Sequence, residues 1–123
     1  LNPEVQKCVS GLLSKKSNIH LTAPLPYPSF VWLMSRANLI ISDSGGIQEE
    51  APTLGVPVIV TRKTSEREEG LKAGYSRLAG TNIDLICKYT EEILNKQKQD
   101  CIENPYGDGK ASKRIVEFII SNC

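Results

Sequence analysis

The chain has 123 residues, one domain's worth, and 40% of them are hydrophobic, enough for a real core. Charged residues make up 24% and the formal net charge is +1, so the charge balance gives no case for a nucleic-acid partner or an anionic membrane. No apolar run approaches the roughly 18 residues that a membrane span requires. In chain order, Asn2-Pro3-Glu4 reads as a helix start, with a capping residue, then proline and an acid in the first turn. Val5, Val9, Leu12 and Leu13 follow at helical spacing, and the helix is predicted to fade around Ser14-Lys15-Lys16. Asn18 to Thr22 reads as a short strand, and the three prolines between Ala23 and Pro28 make a loop. Ser29 to Met34 is apolar on most sides and is predicted to be a short, deeply packed helix.

Asn38 to Ser42 is nearly continuous in Leu and Ile, which predicts a strand buried on both faces. A glycine turn leads into a helix from about Gly46 to Leu54, with Gly55 as its C-terminal cap. Pro57 to Thr61 is an all-apolar strand with its proline at the first residue, where no ladder bond is lost. Arg62 to Gly74 is charged loop and helix, and Tyr75 to Ala79 is a further strand closed by Gly80. Thr81 or Asn82 then caps a helix through Ile83, Ile86, Ile93 and Leu94. A polar stretch, Lys96 to Glu103, precedes Asn104-Pro105-Tyr106-Gly107-Asp108-Gly109, and a last apolar-faced helix starts near Lys110. This alternation predicts an α/β fold with a Rossmann-like parallel sheet flanked by helices, whose ligands bind at the carboxyl ends of the strands.

Those carboxyl ends hold the candidate site. Leu39-Ile40-Ile41 stops at Ser42-Asp43-Ser44-Gly45-Gly46, a strand feeding a helix through glycines. Free N–H groups at a helix start attract an anion, and glycine lets a phosphate approach the backbone closely. The alternative for Ser44, Gly45 and Gly46 is an ordinary strand-to-helix turn. Glu50 lies about one turn into the helix, where a carboxylate can accept hydrogen bonds from adjacent ribose hydroxyls. Glu49 reads as a partner of the helix dipole. Arg67 can reach a phosphate or a base, or can pair with Glu66, Glu68 or Glu69; the residues alone favour the ion pair. Phe30 begins an apolar helix beside the same mouth and offers a ring on which a base can pack.

Cys8, Cys87, Cys101 and Cys123 form no CxxC pair, and the single histidine, His20, makes no metal set with them. Cys8 and Cys87 read as small buried hydrophobes, and the wide scatter points to a reducing compartment, the cytoplasm. No Ser/His/Asp arrangement or acid/base pair is evident, so the expected catalytic residues in this chain are none.

The run Asp43 to Pro52, then Leu54-Gly55-x-Pro57 and Thr64-x-x-Arg67, resembles the non-hydrolysing UDP-N-acetylglucosamine 2-epimerases. Phe30 to Met34, Asn104 to Gly109 and Leu1-Asn2-Pro3 also match, so the resemblance runs from end to end. It implies one half of a two-domain, glycosyltransferase-B-type fold, with residues 1–123 as the C-terminal UDP-binding domain of a longer, homodimeric parent. It implies interconversion of UDP-N-acetylglucosamine and UDP-N-acetylmannosamine by elimination and re-addition of UDP, with no metal or nicotinamide cofactor. Carried over by position, Ser44, Gly45 and Gly46 hold the diphosphate, Glu50 the ribose, Arg67 the nucleotide, and Phe30 lines the uracil pocket. The chain departs from the family at Leu25, where glutamine commonly contacts the nucleotide. The family's acid/base carboxylates lie in the N-terminal domain, so this part alone is expected to be inactive. Alternatives to the epimerase are its hydrolysing relative, half of a B-type glycosyltransferase, or a nucleotide-binding module without catalysis.

Overall fold

A computed structural model describes residues 3–96 and 103–122. The chain divides into two units, Leu1–Phe30 and Val31–Cys123. In the first, α1 (Pro3–Leu13) starts at its proline with Glu4 in the first turn and ends where the sequence turns polar. Asn2, its expected cap, lies outside the described residues. The helix buries none of its residues, and Cys8 on it is exposed rather than packed. Asn18 to Thr22 is not a strand: it pairs with no strand of the sheet, and its start is a turn closed by the Ile19 N–H on the Lys16 carbonyl at 3.1 Å. His20 sits on the surface there.

The second unit is built on a parallel sheet in the order β1-β2-β3, comprising β1 (Ile40–Ser42), β2 (Val58–Val60) and β3 (Ser76–Leu78). Ile40 pairs with Val58, which pairs with Ser76, and Ser42 pairs with Val60, which pairs with Leu78. The central strand is fully buried, as its unbroken apolar run requires. β1 is less buried than its sequence predicts: Ile41 is 49% exposed, because β1 pairs on one side only. Ala51, Val56, Val58 and Val60 form the core, with Ile40, Ile47, Leu54 and Leu78 packed against them.

Helices connect and flank these strands. α2 (Tyr27–Arg36) is longer and far less packed than predicted; Met34 alone on it is buried, while Trp32 is 61% exposed and carries the Arg36 guanidinium over its ring. α3 (Gly45–Glu50) gives way to a 3-10 turn, Ala51–Leu54, rather than running on as one helix. Pro52 explains the break, since it has no N–H to donate to the carbonyl one α-turn back. Gly55 closes this turn in the left-handed region at φ 66°, where its N–H reaches the carbonyls of Ala51 and Pro52. α4 (Glu68–Lys72) precedes β3, and α5 (Ile83–Leu94) follows it. Asn82 caps α5, its side-chain oxygen accepting from the Leu85 N–H at 3.0 Å. Asn82→Ala is expected to cost about 1 kcal/mol of stability in urea unfolding. Cys87 on α5 is exposed, one position round from the half-buried Ile86, against the expectation of burial. α6 (Ala111–Ser121) buries none of its residues and leaves Phe118 69% exposed. Among the described residues, no helix is long and apolar enough to cross a membrane.

Candidate functional site

Ser44, Gly45 and Gly46 stand where β1 ends and α3 begins, at the carboxyl edge of the sheet. Ser44 is the helix cap: its backbone is extended, at φ −75° and ψ 126°, and its Oγ accepts from the Ile47 N–H. Its own N–H donates to Ser42 Oγ at 3.1 Å, so the turn is fastened to the strand it leaves. Gly45 and Gly46 occupy the first helical turn, where N–H groups have no acceptor within the helix.

Gln48 secures the turn from below. Only 1% exposed, it donates through Nε2 to the Ser44 carbonyl at 3.3 Å and accepts through Oε1 from Ser65 Oγ at 2.8 Å. Ser65 Oγ in turn accepts from the Arg67 N–H at 3.1 Å. A buried amide thus links the glycine turn to the loop after β2, with both ends of its carboxamide satisfied.

That loop delivers Arg67. Its Nε donates to Glu49 Oε1 and one terminal nitrogen to Glu66 Oε1, each at 2.7 Å. The other face of the guanidinium lies over Gly45: Cζ and Nη2 sit 3.4 Å from where a Cβ there would stand. A bare turn and a delocalised cation therefore meet at one place. The bond to Glu49 and the charges of Glu49 and Glu66 raise the Arg67 pKa above its ordinary value. Glu66 is held below the ordinary carboxylate range, first by a backbone hydrogen bond and then by the Arg67 charge. A depressed folded value stabilises the fold above the ordinary carboxylate range, and that stability is lost as pH falls through the lowered value.

The predicted site residues are distributed as follows. Ser44, Gly45, Gly46 and Arg67 come together. The ion pair read for Arg67 forms with Glu66, but its second partner is Glu49, not Glu68 or Glu69. Glu49 therefore does more than complement a dipole. Glu50 closes α3 and is half-buried. Phe30 lies on α2, half-buried, in the first unit. Sequence reasoning missed Gln48, Ser65 and Tyr106. The only signal for Tyr106 was the Asn104-Pro105-Tyr106-Gly107 run, and its physical part is now visible: Tyr106 Oη donates to the Arg67 carbonyl at 3.3 Å. Among the described residues, no group of three or more His, Cys, Asp or Glu could hold a metal ion.

Comparison with known proteins places this geometry in context. The family model described as UDP-N-acetylglucosamine 2-epimerase matches residues 1–120. A protein of that name from Neisseria meningitidis is 48% identical across 99% of this chain, which covers 34% of that protein. Its namesake from Escherichia coli K12 is 45% identical, again over 99% of this chain and 34% of its own length. Among solved structures, the Neisseria meningitidis enzyme bound to UDP-GlcNAc superposes with a TM-score of 0.84 at 48% identity, over 98% of this chain and 34% of that one. The Methanocaldococcus jannaschii enzyme in complex with UDP-GlcNAc and UDP gives 0.81 at 35% identity, over 97% and 34%. The chain spans about a third of the length of the curated relatives it matches.

Proposed function

Because the chain belongs to the UDP-N-acetylglucosamine 2-epimerase family, we propose that it is the nucleotide-holding part of an isomerase that interconverts UDP-N-acetylglucosamine and UDP-N-acetylmannosamine. The observation that carries this reading is the Arg67 guanidinium laid over the Gly45 turn, a cation beside the first N–H groups of a helix. In this assignment Ser44, Gly45 and Gly46 hold the diphosphate, Arg67 neutralises it, and Glu50 accepts from the ribose hydroxyls. The place of Phe30 beside the uracil rests on the family resemblance alone.

The reaction is an elimination followed by a re-addition. A base removes the C2 proton, the C1–O bond breaks, and UDP leaves with the electron pair, giving 2-acetamidoglucal. UDP then returns to C1 while a proton is delivered to the opposite face of C2. The part of this chain is to stabilise the negative charge that grows on the departing diphosphate, which lowers the barrier to C1–O cleavage. The proton carriers belong to an N-terminal domain that completes a glycosyltransferase-B-type cleft, in a protein that is cytoplasmic and homodimeric.

Calorimetric titration with UDP and an epimerisation assay test the reading. The whole polypeptide that carries this chain is expected to bind UDP and turn over, whereas residues 1–123 alone bind it weakly and do not. Turnover by the isolated chain would overturn the division of labour, and failure of the whole polypeptide to bind UDP would overturn the assignment. A finer expectation concerns Glu66, whose carboxylate occupies one edge of the Arg67 guanidinium. Glu66→Gln releases that edge to the incoming phosphate, and UDP binding is expected to tighten about two- to threefold, the scale of an exposed ion pair.

A further inference from the structure

We propose that Tyr106 is a positioning residue, whose hydroxyl caps the first turn of α4 from a distance and so holds Arg67 against the Gly45 turn. The part of this inference that concerns nucleotide affinity rests on the function proposed above. It begins with a helix that lacks a cap of its own. Arg67 stands at the cap position of α4, with φ −95° and ψ 63°, and makes no side-chain capping bond. The first N–H groups of a helix have no partner within it. Tyr106 supplies what Arg67 does not: its Oη accepts from the Gly70 N–H at 3.0 Å and donates to the Arg67 carbonyl at 3.3 Å. Gly70 is the third residue of α4, the position whose N–H a capping serine or aspartate ordinarily satisfies.

The same segment grips the other member of the ion pair. Asn104 Nδ2 donates to the Glu49 carbonyl at 3.2 Å and to Thr53 Oγ1 at 2.6 Å. Its Oδ1 accepts from the Tyr106 N–H at 2.9 Å. Asn104-Pro105-Tyr106 is therefore a strap from the end of α3 to the start of α4. Its two ends fall on the main chain of Glu49 and of Arg67, the two residues whose side chains pair. Burial raises the Tyr106 pKa, so the phenol stays protonated and keeps its donor role at neutral pH. Space at Gly70 is reserved for this hydroxyl: a Cβ there would stand 2.5 Å from Tyr106 Oη and 3.2 Å from Ser76 Oγ.

The test uses the whole polypeptide and two readouts. One is UDP affinity by calorimetry. The other, independent of any ligand, is the NMR signal of the Arg67 Nε–H that donates to Glu49, identified by its loss in Arg67→Lys. Tyr106→Phe keeps the ring and removes the hydroxyl. It is expected to weaken UDP binding about five- to tenfold, and to shift the Nε–H signal and hasten its exchange with solvent. Gly70→Ala is expected to do the same, by displacing the hydroxyl. The double variant is expected to lose less than the product of the two single losses, because the atom that alanine would strike is gone. The inference is overturned if Tyr106→Phe keeps an unaltered Nε–H signal and its UDP affinity stays within about twofold of the parent. Should the parent fail to bind UDP, the functional assignment falls, and the Nε–H comparison still decides whether Tyr106 positions Arg67.

Discussion

Arg67→Ala is expected to weaken UDP binding by the whole polypeptide about 30- to 100-fold, the scale of losing one charge-assisted hydrogen bond to a phosphate oxygen. The fold should survive the change. The Arg67 side chain is 30% exposed and makes its bonds to carboxylates that face solvent themselves, with Glu49 at 45% and Glu66 at 63%. Unpairing them leaves ions that water can solvate. Arg67→Lys separates charge from shape: an ammonium keeps the charge but cannot donate to Glu49 while presenting a second, parallel edge to a phosphate. Lysine is expected to recover only part of the affinity, leaving a deficit of about tenfold. Calorimetry on the three proteins decides the matter. Equal affinity in parent and alanine variant would remove Arg67 from the site.

Ile59→Ala is expected to destabilise the chain by about 2 to 5 kcal/mol in urea unfolding, the largest stability loss of any substitution considered. Ile59 is fully buried at the middle of the central strand, paired with Ile41 on one side and Arg77 on the other. Deleting three carbons there leaves a hole lined by a strand that cannot move, because its backbone is bonded to neighbours on both sides. The same strand ends at the loop that carries Ser65 and Arg67, so affinity for UDP should fall only as far as the unfolded fraction grows. A loss of affinity in the fully folded variant would mean that the sheet transmits strain to the site.

How much of this was legible before folding depended on whether the signal was local. β2 could be read from five consecutive residues, Pro57 to Thr61, because a strand buried on both faces needs an unbroken apolar run. Gly55 and Asn82 were legible for the same kind of reason: each solves the problem of a helix end within four residues of itself. The glycine turn was legible as the passage from a strand into a helix by its position after an apolar run. What could not be read was whatever depends on neighbours distant in sequence. Ile41 looks like a buried strand residue until the strand order puts β1 at one side of the sheet. Asn18 to Thr22 has strand composition but pairs with no strand of the sheet. Trp32 and Leu33 look like core by type, yet both stand exposed on α2. The choice of Glu49 rather than Glu68 or Glu69 for Arg67 is made by a fold that brings α3 beside the loop after β2. The hydroxyl of Tyr106 meets Arg67 across 39 positions, a separation no pattern of spacing encodes.

The way Arg67 is held has a thermodynamic consequence. A free arginine on a surface samples many rotamers, and fixing it on a ligand costs conformational entropy. Here the guanidinium is already confined by Glu49, by Glu66 and by the backbone of Gly45. Most of that entropic cost is therefore met during folding rather than at the moment a diphosphate arrives. On the function proposed above, binding is expected to exchange one anion for another along the Glu66 edge of the guanidinium. On that function, a nucleotide meeting this site would find its cation already in place, and the speed of capture is expected to be set by diffusion and not by a search among side-chain conformers.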